Sequence, residues 1–305
     1  MELIPRNTRF DFIGKKKITV WISTVALLVS FASILYHGGL RYGVDFAGGL
    51  VAQVKFPKAV DISEVRSAMD AVGLKDAAVQ KFGGEHEFLI RSQKATGDLE
   101  AASKSIQTAL QQQFKDNVPE IRRVEVVGPR VGKDLKVKAM WAVGLAFLAI
   151  LIYVAIRFHE ISYGLGGIVA LFHDIVVTFG VVSLFNIEFS LNVLAVILTI
   201  IGFSINDTIV IFDRVRENIK KMRKDDFVTV FNVSINETLG RTILTTGTVM
   251  MVVLILFFFA GEVIHDFTIA LIVGLITGTY STVYIASPVV LFWEEHISKR
   301  KRGRR

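Results

Sequence analysis

Six apolar runs decide what this chain can fold into. They fall at about 18–36, 139–157, 161–185, 189–212, 243–260 and 267–290. A bilayer's hydrocarbon core is ~30 Å thick, and a helix rising ~1.5 Å per residue crosses it in about 20 residues. Each run is close to that length. Over the whole chain 52% of residues are hydrophobic and the mean hydropathy is +0.50. The expectation is a polytopic α-helical membrane protein with six transmembrane helices. The runs leave an N-terminal segment (1–17), one long polar stretch (37–138) of single-domain size, and a basic tail (293–305).

The net charge of +7 raises the question of nucleic acid, but its distribution points elsewhere. Within 38–137 basic and acidic residues nearly balance. The excess lies at membrane edges: Arg6, Arg9, Lys15, Lys16 and Lys17 before the first run, Arg214 to Lys224 after the fourth, and "SKRKRGRR" at the end. The short loops 186–188 and 261–266 contain no Lys or Arg. By the positive-inside rule both termini are expected in the cytoplasm, with 37–138 outside and the tail near anionic lipid. The first run has no convincing cleavage site and reads as an uncleaved anchor. With no cysteine, disulfide, Fe–S and thiol chemistry are excluded.

The outer stretch alternates strand and helix patterns. "LVAQVKF" (50–56), "AAVQKFG" (77–83), "HEFLIRS" (86–92) and "EIRRVEVVG" (120–128) read as strands, with Gly83-Gly84 as a hairpin signal. Segments 61–73 and 98–114 read as amphipathic helices, the first with Asp61 as N-cap and Gly73 as stop. The order βαββαβ is the ferredoxin-like split βαβ, an α+β domain between the first and second membrane helices. In "GVDFAGG" the glycines permit a tight turn, so Asp45 is expected at a structural junction. After the domain comes a five-helix transmembrane bundle (139–292). Its polar segment, about 213–240, has periodic apolar residues and reads as an interfacial amphipathic helix.

Function is sought in the polar residues inside the apolar runs. An ionisable group there costs about 2.5 to 3.5 kcal/mol. Asp207 stands in "GFSINDTIV" some six residues from the cytoplasmic end of its run, roughly 9 Å at helical rise. Loss of water favours a neutral carboxyl and a nearby cation favours a charged one, so a group held between the two can exchange a proton. A paired or neutral Asp that joins two helices is the other reading. Arg241, at the start of the fifth run, can reach the same depth or can extend to the headgroups. Thr245 lies one turn on and Thr246 beside it, hydroxyls suited to a proton path. Asn206 either bonds across helices or orients Asp207. His173 and Asp174 form a second polar element facing the bundle, structural or part of a relay. A His-Asp doublet also occurs in metal hydrolases, but those need further ligands that the six scattered histidines do not supply, so no metal is expected. Gly274 and Gly278 form a G-x-x-x-G that favours close helix packing.

No phosphate-binding loop and no serine or zinc hydrolase motif occurs, so no enzyme activity and no cofactor are expected, and any work draws on an ion gradient or a partner.

Five stretches carry a resemblance: "YGVDFAGGL" (42–50), "VEVVGPRVGKDL" (124–135), "LFHDIVVTFG" (171–180), "GFSINDTIVIFDRVREN" (202–218) and "NETLGRTILTT" (236–246). Together, over almost the whole chain, the sequence resembles the SecF family, the smaller half of the bacterial SecDF protein-export complex. The resemblance implies a fold of the resistance-nodulation-division type in the cell inner membrane, with SecD supplying six further spans. It implies association with the SecYEG channel, other Sec accessory proteins and the exported preprotein. It also implies use of the proton motive force after the motor SecA has acted. Asp207 and Arg241 match the family's proton-pathway residues. Two alternatives are a proton-driven small-molecule efflux half of the same superfamily and a scaffold for SecD and the channel that moves no protons. The first would need a roomier outer pocket and two halves in one chain. Proton flux that depends on Asp207 separates the second.

Overall fold

A computed structural model describes residues 8–295 apart from 72, 75–76, 94–98 and 159. Arg6, the expected helix start at 98, His159 in the loop after the second run, and tail residues 296–305 lie outside the described residues. Six helical segments are long and apolar enough to cross a membrane. They are Ile13–Tyr36, which contains α1 (Lys16–Tyr36), then α5 (Pro129–Arg157), α6 (Ile161–Leu184), α7 (Leu191–Lys221), α8 (Phe227–Phe259), and Glu262–Trp293. The last comprises α9 (Glu262–Ser281), a π-helical turn (Thr282–Ala286) and α10 (Ser287–Trp293).

The π turn has a local cause. Pro288 has no N–H to give the Tyr284 carbonyl, and its ring crowds that carbonyl. Widening the preceding turn accommodates both, and Ser287 Oγ donates to the Thr282 carbonyl at 3.1 Å. The turn packs on α6, where a side chain would not fit: a Cβ at Gly166 would lie 2.8 Å from the Ala286 carbonyl oxygen.

Between α1 and α5 lies a small domain. A short helix α2 (Val44–Ala47) leads into β1 (Gly49–Lys55), then α3 (Ile62–Ala71), β2 (Ala78–Lys81), β3 (Glu87–Ser92), α4 (Leu99–Gln113) and β4 (Glu120–Val127). The sheet order is β2-β3-β1-β4 and every pairing is antiparallel. Alternation along β1 sends Leu50, Ala52 and Val54 into a core with Val65, Met69, Phe88, Ile90, Ile106 and Leu110. Each of these side chains larger than alanine contributes ~1.5–3 kcal/mol on burial. Asp61 Oδ1 accepts from the Ser63 N–H at 2.8 Å at the start of α3, and Gly73 stops that helix at φ +83°.

Helix bounds depart from the apolar runs at one place that matters. The polar segment 213–240 is not a separate interfacial helix. α7 continues to Lys221, a short turn follows, and α8 begins at Phe227 with Asp226 Oδ1 accepting from the Thr229 N–H. The periodic apolar residues Val215, Val230, Phe231 and Ile235 pack on Ile13 of the N-terminal segment and on the bundle core, not on a membrane surface.

The junction between domain and bundle runs through "GVDFAGG". Asp45 Oδ2 accepts from the Leu191 N–H at 2.9 Å, which caps α7 from another part of the chain. The Gly43 N–H donates to the Phe189 carbonyl at 2.9 Å, and Phe46 stacks on Phe189. Gly48 and Gly49 have φ of +83° and +142°, and a Cβ at Gly49 would meet the Ser92 carbonyl oxygen at 2.3 Å. Asp45 is a structural junction residue, in line with the tight-turn reading.

Candidate functional site

The polar centre of the bundle is Asp174, fully buried on α6. Its Oδ2 accepts from Ser204 Oγ of α7 and from Ser281 Oγ of α9, each at 2.7 Å. Its Oδ1 lies 3.2 Å from His173 Nδ1. One carboxylate therefore ties three helices together. Close approach of small residues makes this possible: Gly278 of α9 faces Ser204, where a Cβ would lie 3.1 Å from the serine Cβ. One turn earlier, a Cβ at Gly274 would overlap Ile200 of α7. The G-x-x-x-G pair thus packs α9 on α7, as its spacing favours.

Asp207 stands near the middle of α7, three residues beyond Ser204 and so on a neighbouring face. It is 2% exposed, and its Oδ2 has no hydrogen-bond partner among the described residues. Thr208 beside it is joined to Thr282 of the π turn, Oγ1 to Oγ1 at 3.0 Å. Because α7 continues past residue 212, Asp207 is farther from its helix end than the apolar run alone implied.

The Asp207–Arg241 ion pair expected from the sequence is not formed. The α7–α8 hairpin is held by Arg214 Nε donating to Glu237 Oε2 at 2.6 Å and by Asn218 Nδ2 donating to Ser234 Oγ at 3.0 Å. Continued along the helices, this antiparallel register sets Arg241 opposite Val210 or Ile211, about one turn from Asp207. The depth is as expected, but the Arg241 side chain is exposed on the outer face of α8. Thr245 Oγ1 donates to the Arg241 carbonyl at 3.0 Å, and Thr246 Oγ1 lies 3.0 Å from Thr279 Oγ1 of α9. Asn206 is exposed and forms no hydrogen bond across helices among the described residues.

Several residues of this layer escaped the sequence reading. Ser204, Ser281 and Thr208 are hydroxyls that a helix can satisfy by itself, through bonds to the preceding turn. Thr242, 3% exposed, has an Oγ1 without a partner among the described residues. A signal for it exists: Ser234, Thr238 and Thr242 recur every four residues and all are buried, a polar stripe on the inner face of α8. His173 Nε2 is likewise buried without a partner among those residues.

At the Leu191 end of α7, the sheet face not covered by α3 and α4 overlooks a cleft of about 310 Å³. Its lining includes Arg91, Arg123, Glu125, Glu188 and Asp266. Burial pushes the Glu188 carboxyl up, and Arg41, at 3.1 Å, pulls it back.

Comparison with known proteins follows the same outline. The family described as "Protein export membrane protein SecD/SecF, C-terminal" matches residues 106–296. The chain is 40% identical over 295 residues to the protein translocase subunit SecF of Endomicrobium trichonymphae, which covers 97% of this chain and 94% of that one. It is 43% identical over 305 residues to the same-named subunit of Magnetococcus marinus, covering 99% and 97%. In structure it is similar to SecDF of Thermus thermophilus, a translocon-associated membrane protein, with a TM-score of 0.82 and 31% identity. That match covers 96% of this chain and 40% of the SecDF chain, so this chain spans about two-fifths of the solved protein. A SecDF structure in a super-membrane-facing form matches with a TM-score of 0.73 and 32% identity.

Proposed function

The chain belongs to the SecF family of protein translocase subunits, and from that premise we propose that it uses protons crossing the membrane to help complete the passage of exported proteins. The observation that carries this is Asp207: a buried carboxylate with one oxygen unpartnered among the described residues, one turn from the Asp174 centre and about one turn in depth from Arg241, which forms no ion pair among those residues. A charged Asp207 draws the Arg241 guanidinium inward across the α7–α8 contact. A proton on Asp207 removes that attraction and releases Arg241 outward. Two arrangements of one helix pair, biased by one proton, constitute a bistable element. Thr245, Thr246 and Thr242 offer hydroxyls along α8 for the proton's path, with Asn206, His173 and Asp174 as secondary members. A proton falling through about 100 mV supplies ~2.3 kcal/mol, enough to shift such a balance. The proton is the coupling ion, and neither a cofactor nor an enzymatic reaction is part of this account.

The partner follows from exposure. In the most apolar stretches of α5 and α8 only 11% of residues are buried, against 67% in α6. An arginine facing lipid in such a helix is costly, so a second protein half covering Arg241 is favoured. We assign that half to SecD, giving a resistance-nodulation-division architecture that works beside SecYEG on the emerging preprotein. The basic residues at the helix ends support cytoplasmic termini and an extracytoplasmic 37–138 domain. The domain's β2-β3-β1-β4 order and βαββαβ sequence support a ferredoxin-like fold.

The test is Asp207→Asn in vesicles that contain SecD. Gradient-dependent completion of export is expected to fall to the level seen without a gradient, while SecD still copurifies. Export completion at the normal rate would refute the proposal.

A further inference from the structure

One groove lies outside the polar centre. Helices α1, α6 and α10 frame a cleft of about 820 Å³, lined by the exposed side chains of Trp21 and Phe172. Trp21 and Leu27 of α1, Phe172 of α6 and Val289 of α10 form apolar walls, and His173 and Tyr284 close its inner end. Lys16 and Lys17, at the start of α1, and Glu295, just after α10, are its charged lining residues.

Its length is informative. From Lys16 to Leu27, α1 rises about 16 Å, half of a ~30 Å hydrocarbon core and so one leaflet. Beyond Leu27 the groove cannot continue, because α1 meets α6 directly. A Cβ at Gly180 would overlap Ser30, and Ser33 Oγ donates to Ser183 Oγ at 3.0 Å. A partner helix crossing the membrane would need a seat of full span. This seat stops at one leaflet, is mostly apolar along its length, with the Ser23 and Thr24 hydroxyls bonded to Tyr280 and to the Val20 carbonyl, and carries its two lysines at one end, which are the proportions of a phospholipid.

We infer that this groove holds an acyl chain of an anionic glycerophospholipid, phosphatidylglycerol by its chemistry, with its phosphate against the ammonium groups of Lys16 and Lys17. Trp21, 71% exposed, stands one turn from Lys17 and presents its ring at headgroup level. Glu295 repels the phosphate toward α1 and accepts a hydrogen bond from a headgroup hydroxyl. An occupied groove keeps lipid-side water from His173, next to the Asp174 centre. The site does not depend on the proposed proton role.

Brominated lipids test this by quenching Trp21 fluorescence in the full chain, in vesicles, with Trp141→Phe and Trp293→Phe removing the other tryptophans. Brominated phosphatidylglycerol is expected to associate roughly tenfold more strongly than brominated phosphatidylcholine. Lys16→Gln with Lys17→Gln should abolish that preference, and Lys220→Gln with Lys221→Gln should leave it intact. Val289→Phe should weaken quenching by both lipids, and inorganic phosphate should displace neither. The inference is overturned by equal quenching from the two lipids, by a preference that survives loss of both lysines, by phosphatidylethanolamine outcompeting phosphatidylglycerol, or by displacement with inorganic phosphate.

Discussion

Asp174 and Asp207 are two buried carboxylates on adjacent helices with opposite circumstances. Asp174 is bonded to Ser204, Ser281 and His173, whereas one Asp207 oxygen has no partner among the described residues. The first fastens three helices; the second is the group to which the proposed mechanism gives the proton. Removing the fastening has a calculable cost. Asp174→Leu strands the buried Ser204 hydroxyl, at ~1–3 kcal/mol, while Ser281 keeps its bond to the Gly278 carbonyl, and should lower the unfolding midpoint in detergent by roughly 2–6 °C. Asp174→Asn retains a carbonyl acceptor and should lose less than half as much. Equal losses in the two variants would show that the serine bonds contribute little. Asp207 was readable from the sequence because an acid in an apolar run stands out. The partners of Asp174 were not, since serines in a helix carry no mark of which neighbour they serve. The Arg241 pairing was misjudged for a related reason: spacing reports depth along a helix but not which way the side chain turns.

At the scale of elements, five of the six spans match their apolar runs closely at one end or both, because length and hydropathy alone define a crossing helix. At the facing ends of α7 and α8 the helices overrun their apolar runs where polar groups are satisfied by tertiary contacts. The α7–α8 hairpin extends well beyond the apolar runs because Arg214, Asn218, Ser234 and Glu237 satisfy one another. The N-terminal segment is tied to the same hairpin, with Asn236 Oδ1 accepting from the Phe10 N–H and Asn236 Nδ2 donating to the Phe10 carbonyl. Such contacts join residues more than two hundred positions apart and leave no local pattern to read. Packing of α1 on α6 depends on one missing side chain. Gly180→Val would drive a branched group into Ser30, whose Cα lies 2.6 Å from the Cβ position. Separation of α1 should follow, seen as faster proteolysis and hydrogen exchange in α1, with an overpacking cost of about 1–3 kcal/mol or more. Unchanged exchange in α1 would mean that the helices shift apart freely.

Across the whole molecule, the domain and the bundle meet at the Leu191 end of α7, the helix that also carries Asp207. Asp45 caps that end, and the Arg41–Glu188 pair and the Phe46–Phe189 stack lie beside it. A change in the tilt of α7 therefore reaches the sheet through a short, well-bonded junction. Asp45→Ala removes the cap, worth ~1 kcal/mol at such positions. Amide exchange at Leu191 to Leu194 should quicken about fivefold, with Asp45→Asn close to the parent chain. The central claim is that a proton on Asp207 drives this movement. Its most direct test is proton flux across vesicles containing the chain and SecD, followed with a pH-sensitive dye under an imposed gradient. Flux is expected in the parent complex and its loss in Asp207→Asn, with a smaller reduction in Asp174→Asn; undiminished flux through the Asp207→Asn complex would contradict a proton role for Asp207.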